Sequence, residues 1–244
     1  MKVFPIYLER AIYIKEEKTI IIADLHIGIE FDYMQKGINI AMQTDVLLER
    51  IKKLVERKNA EKLIILGDLK HSYENVDYIK KERIEVRIFL KRLYELVEVW
   101  LVKGNHDGNI RSKYVKIFGS KGIEIDDISL AHGHAWPNEK IMRNKLLIIG
   151  HVHPNVRLQT KIGYSYIEPC WIRGKFKRKE FLNKYKNGNE KMEVVIMPAF
   201  NPLCGGIAVN KEELIGPIAK IMDIDNSIVY LLNGINLGRV RNLR

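Results

Sequence analysis

The chain has 244 residues, of which 46% are hydrophobic and 29% charged, and its formal net charge is +11. This composition excludes a disordered or fibrous protein, and no apolar run approaches the roughly 18 residues that span a bilayer. A chain of this length buries one substantial core, so we expect a single domain over residues 1–244. Two cysteines, Cys170 and Cys204, are too few for a disulfide framework, and the N-terminus lacks a signal-peptide pattern. We therefore expect a cytoplasmic protein without membrane contact, in which both cysteines are reduced packing residues.

Short apolar runs that end in polar residues predict buried strands in the first two thirds of the chain. They are TIIIADLH (19–26), KLIILGD (62–68), VEVWLVKGNHD (97–107) and KLLIIGHVH (145–153), with ISLAHGH (128–134) as a weaker fifth. Apolar residues at three- and four-residue spacing predict two helices between these strands. The first helix carries Val46, Leu47, Ile51, Leu54 and Val55, and the second, over about residues 77–97, carries Ile84, Ile88, Leu93 and Leu96.

The remainder of the chain has a different pattern, with short apolar segments broken by Gly, Pro and Asn. These segments predict further strands, and they are VRLQTKI (156–162), YSYIEPCWIRGKF (164–176), EVVIMPAF (193–200) and SIVYLLNG (227–234). Strands that alternate with helices predict an α/β fold in which ligands gather beyond the carboxyl ends of the strands. We expect residues 155–244 to complete a second sheet that packs on the first.

Histidine is concentrated where the predicted strands end. All seven lie in or beside these polar clusters, and none lies in the last 91 residues: His26, His71, His106, His132, His134, His151 and His153. A single His is more often a structural residue than a ligand, but five clusters that each close a strand indicate a metal site. Two metal ions about 3.5–4 Å apart can bind a phosphoryl group, activate a water and neutralise charge. Carboxylate and imidazole ligands suit Mn, which we expect, and the alternatives are Fe, Zn, Ni and Mg.

The motifs DLH, GD, GNHD, HG and GHVH, in this order over about residues 20–155, resemble those of the calcineurin-like metallophosphoesterase superfamily. The resemblance implies an α/β fold with a two-sheet β-sandwich core flanked by helices, and a binuclear-metal hydrolase of phosphoesters. It assigns Asp24, His26 and His153 to a first metal, and Asp68 to a bridging position. Asn105, His132 and His151 are assigned to the second metal.

The same resemblance places His106 near the leaving-group oxygen as a general acid or transition-state stabiliser, with Asp107 orienting its imidazole. Two further histidines have alternative roles. His71 either contacts a phosphate of the substrate or makes a loop hydrogen bond, and His134 either binds substrate or competes with His132 as the ligand.

Three segments resemble more closely the archaeal phosphoesterases related to the bacterial nuclease SbcD, and the small bacterial members associated with DNA ligases and helicases. These segments are GDLKHS (67–72), HGHAWP (132–137) and MPAFNPLCGG (197–206). The resemblance implies a DNA-repair helicase or ligase as a partner. The chain is too short to hold both the capping region and the ATPase-docking segment of SbcD-type nucleases.

The charge is concentrated in the last third, where residues 155–244 carry 15 Lys and Arg against 8 Asp and Glu. Within it, residues 171–186 interleave cations, including Arg173 and Lys175, with aromatic residues, as a single-stranded nucleic acid requires. In the alternative, which we favour for the aromatic residues, they pack inward from a strand or hairpin while the lysines face water. The leading hypothesis is a phosphodiesterase or nuclease for DNA or RNA. A small-molecule phosphatase or cyclic-nucleotide phosphodiesterase is the alternative, and a non-catalytic scaffold is the third.

Overall fold

A computed structural model of the chain describes residues 3–71 and 76–244. Residues 72–75, which include the last residue of the GDLKHS segment, lie outside the described residues. In the described part, no helix combines the length and the apolar character that crossing a membrane requires.

The first sheet has six strands in the order β1-β2-β3-β4-β5-β6. Their bounds are β1 Val3–Pro5, β2 Ile12–Ile14, β3 Thr19–Ile22, β4 Lys62–Leu66, β5 Glu98–Val102 and β6 Lys116–Phe118. The first three strands pair antiparallel, whereas β3 to β6 pair parallel. The carboxyl ends of β3, β4 and β5 therefore meet at one edge.

The second sheet has nine strands, of which seven follow the order β13-β10-β11-β12-β9-β8-β7, while β14 pairs with β11 and β15. Their bounds are β7 Ile123–Ile125, β8 Ile128–Ala131, β9 Leu146–Ile149, β10 Pro154–Gln159, β11 Ser165–Lys175, β12 Glu193–Ile196, β13 Ile207–Ala208, β14 Ile228–Leu231 and β15 Asn236–Arg239. Strands β8, β9 and β12 are parallel to one another. All four strand segments that the C-terminal third predicted are present.

The helices are α1 Ile29–Gln35, α2 Thr44–Lys58, α3 Val76–Tyr94, α4 Arg178–Lys184 and α5 Pro217–Lys220. Helices α2 and α3 pack on the first sheet, and α4 and α5 pack on the second. Helix α2 ends at Asn59, whose left-handed backbone (φ 47°) is a conformation that Asn adopts at helix ends. The result is the predicted α/β fold, a two-sheet β-sandwich core flanked by helices.

Strand β3 shows why its apolar run is continuous. Ile20 and Ile22 pack toward the helices, whereas Ile21 and Ala23 pack toward the second sheet. Because successive side chains of a strand point to opposite faces, a strand buried on both faces has apolar residues at every position. All four of these residues have no solvent exposure.

The predicted buried faces of the two long helices require correction. On α2, Leu47, Ile51 and Leu54 are buried as predicted, but Val46 is 58% exposed. Of the stripe predicted for α3, only Leu93 is buried. Ile84 and Ile88 are exposed, and so is Leu96, which lies beyond the end of the helix. The face that contacts the sheet consists of Val86, Phe89, Leu90 and Leu93. Both patterns have helical spacing, so contact with the sheet decides between them.

Residues 171–186 also differ from the expected strand or hairpin. The segment is the end of β11 followed by α4. The aromatic residues pack inward, as the favoured alternative predicted, because Trp171, Phe176, Phe181 and Tyr185 are all buried. Their rings are therefore not exposed for stacking on nucleic-acid bases.

Candidate metal centre

Five loops at the carboxyl ends of parallel strands supply the polar side chains of one cluster. They follow β3, β4, β5, β8 and β9. The structure brings together all seven residues expected as metal ligands, which are Asp24, His26, Asp68, Asn105, His132, His151 and His153. These residues meet because the carboxyl ends of β3, β4 and β5 in the first sheet and of β8 and β9 in the second lie on the same side of the sandwich.

Two buried carboxylates form the middle of the cluster. Asp24 Oδ1 lies 3.3 Å from His153 Nε2 and 3.6 Å from His132 Nδ1. Asp68 Oδ2 lies 3.2 Å from His132 Nε2 and 3.5 Å from His26 Nε2. His151 belongs with Asp68 and His132 to one group of ligand atoms within 4.8 Å of one another. Asp68 therefore stands between two sets of imidazoles, as a bridging ligand does.

Backbone carbonyls fix the orientation of two imidazoles. His132 Nδ1 donates to the carbonyl of Leu66 at 2.8 Å, and His153 Nδ1 donates to the carbonyl of Gly205 at 2.9 Å. In both rings Nε2 then faces a carboxylate oxygen. His132 Nε2 also lies 3.3 Å from Asn105 Oδ1. Backbone carbonyls that accept from the outer ring nitrogen of a histidine in this way are typical of metal sites.

The donor atoms fit divalent metal ions. Buried ring nitrogens of His26 and His153 have no hydrogen-bond partner among the described residues. Burial lowers the pKa of His26 to about 3 and that of His151 to about 4, so both rings are neutral, the form that binds metals. At His132, burial opposes protonation, but Asp68 and Asp24 outweigh it and raise the pKa to about 9. The carboxylates therefore favour a cation at this point.

The backbone of the cluster is held in an unusual conformation. Five of the seven expected ligands have positive φ: Asp24 (58°), His26 (41°), Asp68 (49°), His151 (69°) and His153 (47°). A positive φ is uncommon for residues other than glycine, and such residues concentrate at functional sites. Sharp turns directly after the strands aim these side chains back across the sheet ends.

Two glycines allow the ligands to approach one another. A Cβ at Gly104 would overlap Asp68 Oδ1, and one at Gly67 would overlap the ring of His132. Close packing against His132 therefore requires Gly67 of the GD motif, and close packing against Asp68 requires Gly104 of the GN motif.

His106 lies at the open side of this cluster. Its Nε2 is 4.0 Å from Asp68 Oδ2, its side chain is 30% exposed, and its backbone N–H donates to Asp68 Oδ1 at 3.0 Å. Its ring is 4.9 Å from that of His26, centroid to centroid. A substrate bound at the cluster would therefore lie within reach of this imidazole.

The carboxylate of Asp107 is held by three backbone N–H groups. One carboxylate oxygen accepts from the N–H groups of Leu69 (3.0 Å) and Lys70 (3.4 Å), and the other accepts from Gly104 (2.8 Å). Asp107 is fully buried, and its carboxylate ties the loop after β4 to the loop after β5. It acts on the position of the loop that carries His106, and these bonds are to backbone groups rather than to the imidazole.

The two additional histidines lie in different places. His71 Nδ1 is 3.1 Å from His26 Nδ1, which makes His71 an outer partner of an expected ligand. His134 has its ring 5.1 Å from that of His132. His132, and not His134, shares the group of ligand atoms with Asp68 and His151.

Arg173 and Lys175 lie away from the cluster. Lys175 pairs with Glu193, the first residue of β12, whereas the cluster follows the last residues of the parallel strands. Arg173 forms an ion pair with the same glutamate at 2.6 Å. The structure therefore does not bring these two cations together with the expected metal ligands.

Sequence reasoning missed the loop after β12. The ring nitrogens of His26 and His153 and the thiol of Cys204 lie within 4.8 Å of one another, so Cys204 lies beside the cluster. Burial, and then the charge of Asp24, raises the pKa of this thiol. The segment MPAFNPLCGG could have indicated this position, because it directly follows β12. Strand β12 is parallel to β8 and β9, whose carboxyl ends carry expected ligands.

The chain belongs to the calcineurin-like phosphoesterase family, which it matches over residues 17–187. It is therefore a member of a family of metal-dependent hydrolases that act on phosphoesters. No curated protein sequence matches the chain.

Among solved structures, the Pseudomonas putida nuclease MPE has a similar fold, with a TM-score of 0.59 and 23% sequence identity over 97% of this chain and 100% of that chain. Yfce, a phosphoesterase from E. coli, aligns with a TM-score of 0.42 and 18% identity over 91% of this chain and 97% of that chain.

Proposed function

We propose that the protein is a binuclear-metal phosphodiesterase, a nuclease that hydrolyses DNA or RNA phosphodiester bonds with Mn as its metal. The main support is the position of His106, whose half-buried imidazole lies 4.0 Å from the buried carboxylate of Asp68 at the open side of the cluster. Asp24, His26, Asp68 and His153 would hold one ion, and Asp68, Asn105, His132 and His151 the other. Bound there, the ions supply charge for the phosphoryl oxygens and lower the pKa of a water.

The residues of this chain have separate tasks in that reaction. The N–H of His151 donates to both oxygens of Asp24, at 3.2 and 3.1 Å, and the N–H of His106 holds Asp68. Both carboxylates are thus oriented before substrate binds, which reduces the reorganisation needed during reaction. The imidazole of His106 is placed to stabilise, or to donate a proton to, the leaving oxygen.

An extended polyanionic substrate suits this geometry. Asn105 is exposed and His106 is half-buried, so the reacting side of the cluster faces solvent and a polymer can lie across it. The formal charge of +11 favours polyanions over neutral substrates. Single-stranded nucleic acid is the proposed substrate because it is a polyanion with a flexible backbone.

Three finer predictions accompany this proposal. They are the closer relationship to the archaeal SbcD-related phosphoesterases, a cytoplasmic location, and a DNA-repair helicase or ligase as partner. The organisation of residues 1–244 as a single domain also stays a prediction.

The test uses metal-stripped protein with Mn, Mg, Zn or no metal, a labelled single-stranded DNA or RNA, and a small diester reporter dye. We expect Mn-dependent hydrolysis of the reporter and of at least one polynucleotide, and loss of both activities in Asp68→Asn. Reporter turnover without cleavage of either polynucleotide would contradict the nuclease and favour a small-molecule enzyme. Inactivity on every substrate would favour a scaffold.

A further inference from the structure

A cleft of about 610 Å³ runs between helix α3 and residues 109–114, the segment that follows the GNHD loop. We call it the α3 groove. Its walls include the apolar residues Ile79, Val86, Leu90 and Ile110 together with the ring of Tyr114. Its polar residues are Lys70, Glu82, Arg83, Arg87, Asn109, Arg111, Ser112 and Lys113. Five of these eight are cations and one is an acid.

The α3 groove is connected to the metal centre through Asp107. The N–H of Lys70 donates to the carboxylate of Asp107, and the N–H of Ile110 donates to its backbone carbonyl at 3.0 Å. Lys70 and the segment 109–114, which both line the groove, are therefore bonded to the residue that follows His106. The groove thus adjoins the loop that carries His106.

Four of the five cations of the groove are exposed and outside the described ion pairs. Among residues 3–71 and 76–244, no ion pair involves Arg83, Arg87, Arg111 or Lys113. Their positive charge is therefore available to an external anion.

The single acid of the groove opposes this charge only weakly. Glu82 is 1% exposed, and its Oε2 lies 3.8 Å from Lys70 Nζ. Burial, more than the nearby charge of Asp107, raises the pKa of Glu82 to about 7. Near neutral pH this carboxyl is therefore protonated in a large fraction of molecules.

We propose that the α3 groove binds the backbone phosphates of a single-stranded polynucleotide on one side of the bond that the metal centre cleaves. Arg83 and Arg87 on α3 and Arg111 and Lys113 on the facing segment contact the phosphates, while Tyr114 and the apolar wall contact sugars and bases. The proposal rests on the proposed nuclease function and moves the nucleic-acid surface from residues 171–186 to the side of His106.

Charge-neutralising pairs test the groove. The variants are Arg83→Gln with Arg87→Gln, and Arg111→Gln with Lys113→Gln. A matched control, Lys211→Gln with Lys220→Gln, removes two exposed cations from a cleft that also contains Glu212, Glu213, Asp223 and Asp225. A second comparison, Lys179→Gln with Lys186→Gln, samples the basic stretch predicted from sequence.

Binding of the Mn-loaded protein to a fluorescent phosphorothioate oligonucleotide is measured by anisotropy over a range of salt concentrations. Each phosphate contact to a single strand contributes about 0.7 to the slope of log K against log salt. Each groove pair should therefore lower the slope by about 1.4 and weaken binding about 25-fold at 0.1 M salt, if affinities are equal at 1 M. Turnover of the reporter dye verifies that each variant is folded and metal-loaded.

The outcomes separate the two proposals. Loss of binding in both groove pairs, with wild-type binding in both comparison pairs, supports the groove. If wild-type protein cuts the polynucleotide but the groove pairs bind like wild type, the groove is overturned and the nuclease stands. Equal losses in all four pairs also overturn it, because the attraction is then diffuse. If wild-type protein turns over only the reporter, the nuclease proposal fails, and the groove proposal fails with it.

Discussion

Replacing His71 with alanine removes the nitrogen that faces His26 Nδ1 at 3.1 Å. His26 Nε2 lies beside Asp68 and is the nitrogen that would bind the metal ion, in which case Nδ1 carries the ring proton and can donate it to His71. Burial lowers the pKa of His71 to about 4, so near neutral pH its ring is an uncharged acceptor. The His71→Ala variant therefore keeps every expected metal ligand but frees one of them to rotate and to change tautomer.

The expected effect is on metal affinity. Loss of an outer hydrogen-bond partner of a metal-binding histidine weakens metal affinity or activity by about 10- to 100-fold. The side chain of His26 is only 5% exposed, so water replaces the lost acceptor poorly, and we expect the upper half of that range. This corresponds to about 2 to 2.7 kcal/mol of binding free energy.

Isothermal titration of Mn into metal-stripped protein measures this loss directly. His71→Asn retains an acceptor, Oδ1, at a similar distance from the backbone to Nδ1 and should recover part of the affinity. Thermal unfolding of both metal-stripped variants verifies that the fold is intact. Mn affinity of His71→Ala within twofold of wild type would refute the role of His71 as an outer partner of His26.

Three further predictions concern the catalytic imidazole, the packing around the bridging carboxylate and a buried acid. His106→Ala should bind Mn as wild type does, as measured by titration. Its rate of diester turnover, measured by steady-state kinetics, should fall by about a hundredfold or more. Gly104→Ala should lose Mn binding because the new Cβ overlaps Asp68 Oδ1, whereas Gly108→Ala, with no heavy atom within 4 Å of its Cβ, should retain it in the same titration. Glu82 has a folded-state pKa of about 7, above its ordinary value near 4.5. The unfolded state therefore loses this proton more readily, and the free energy of unfolding falls as pH rises through this range. Urea unfolding at pH 5 and pH 8 should show that Glu82→Gln gains up to about 3 kcal/mol relative to wild type at the higher pH.

Each of these predictions has a contradicting result. Wild-type turnover in His106→Ala would exclude the imidazole from the reaction. Equal Mn affinity in both glycine variants would show that the loop after β5 shifts at little cost. A constant stability difference between Glu82→Gln and wild type from pH 5 to pH 8 would show that Glu82 titrates at its ordinary value.

Much of the fold follows from local pattern. The apolar runs that became β3, β4, β5, β8 and β9 are buried on both faces, so the sequence alone identifies them as interior strands. Polar residues that directly follow parallel strands necessarily gather at one sheet edge. For this reason the sequence predicts Asp24, Asp68 and His132 in one site.

Helix faces and loop contacts depend on partners that are distant in sequence. Ile84 and Ile88 have the same helical spacing as Val86 and Leu90, and only the position of α3 on the sheet decides which pair is buried. The second pair and its neighbours therefore form the core face.

The surroundings of the cluster likewise required tertiary structure. Asp107 is adjacent to His106 in sequence, yet its carboxylate binds the backbone of another loop. Cys204 and the carbonyl of Gly205 reach the cluster from the loop after β12, about 50 residues beyond His153. The ligand types and the strand ends that carry them are local properties, so they can be predicted from the amino-acid sequence. Only the packing of the two sheets decided the distances, the orienting bonds and the neighbouring groove, because all of these join residues that are far apart along the chain.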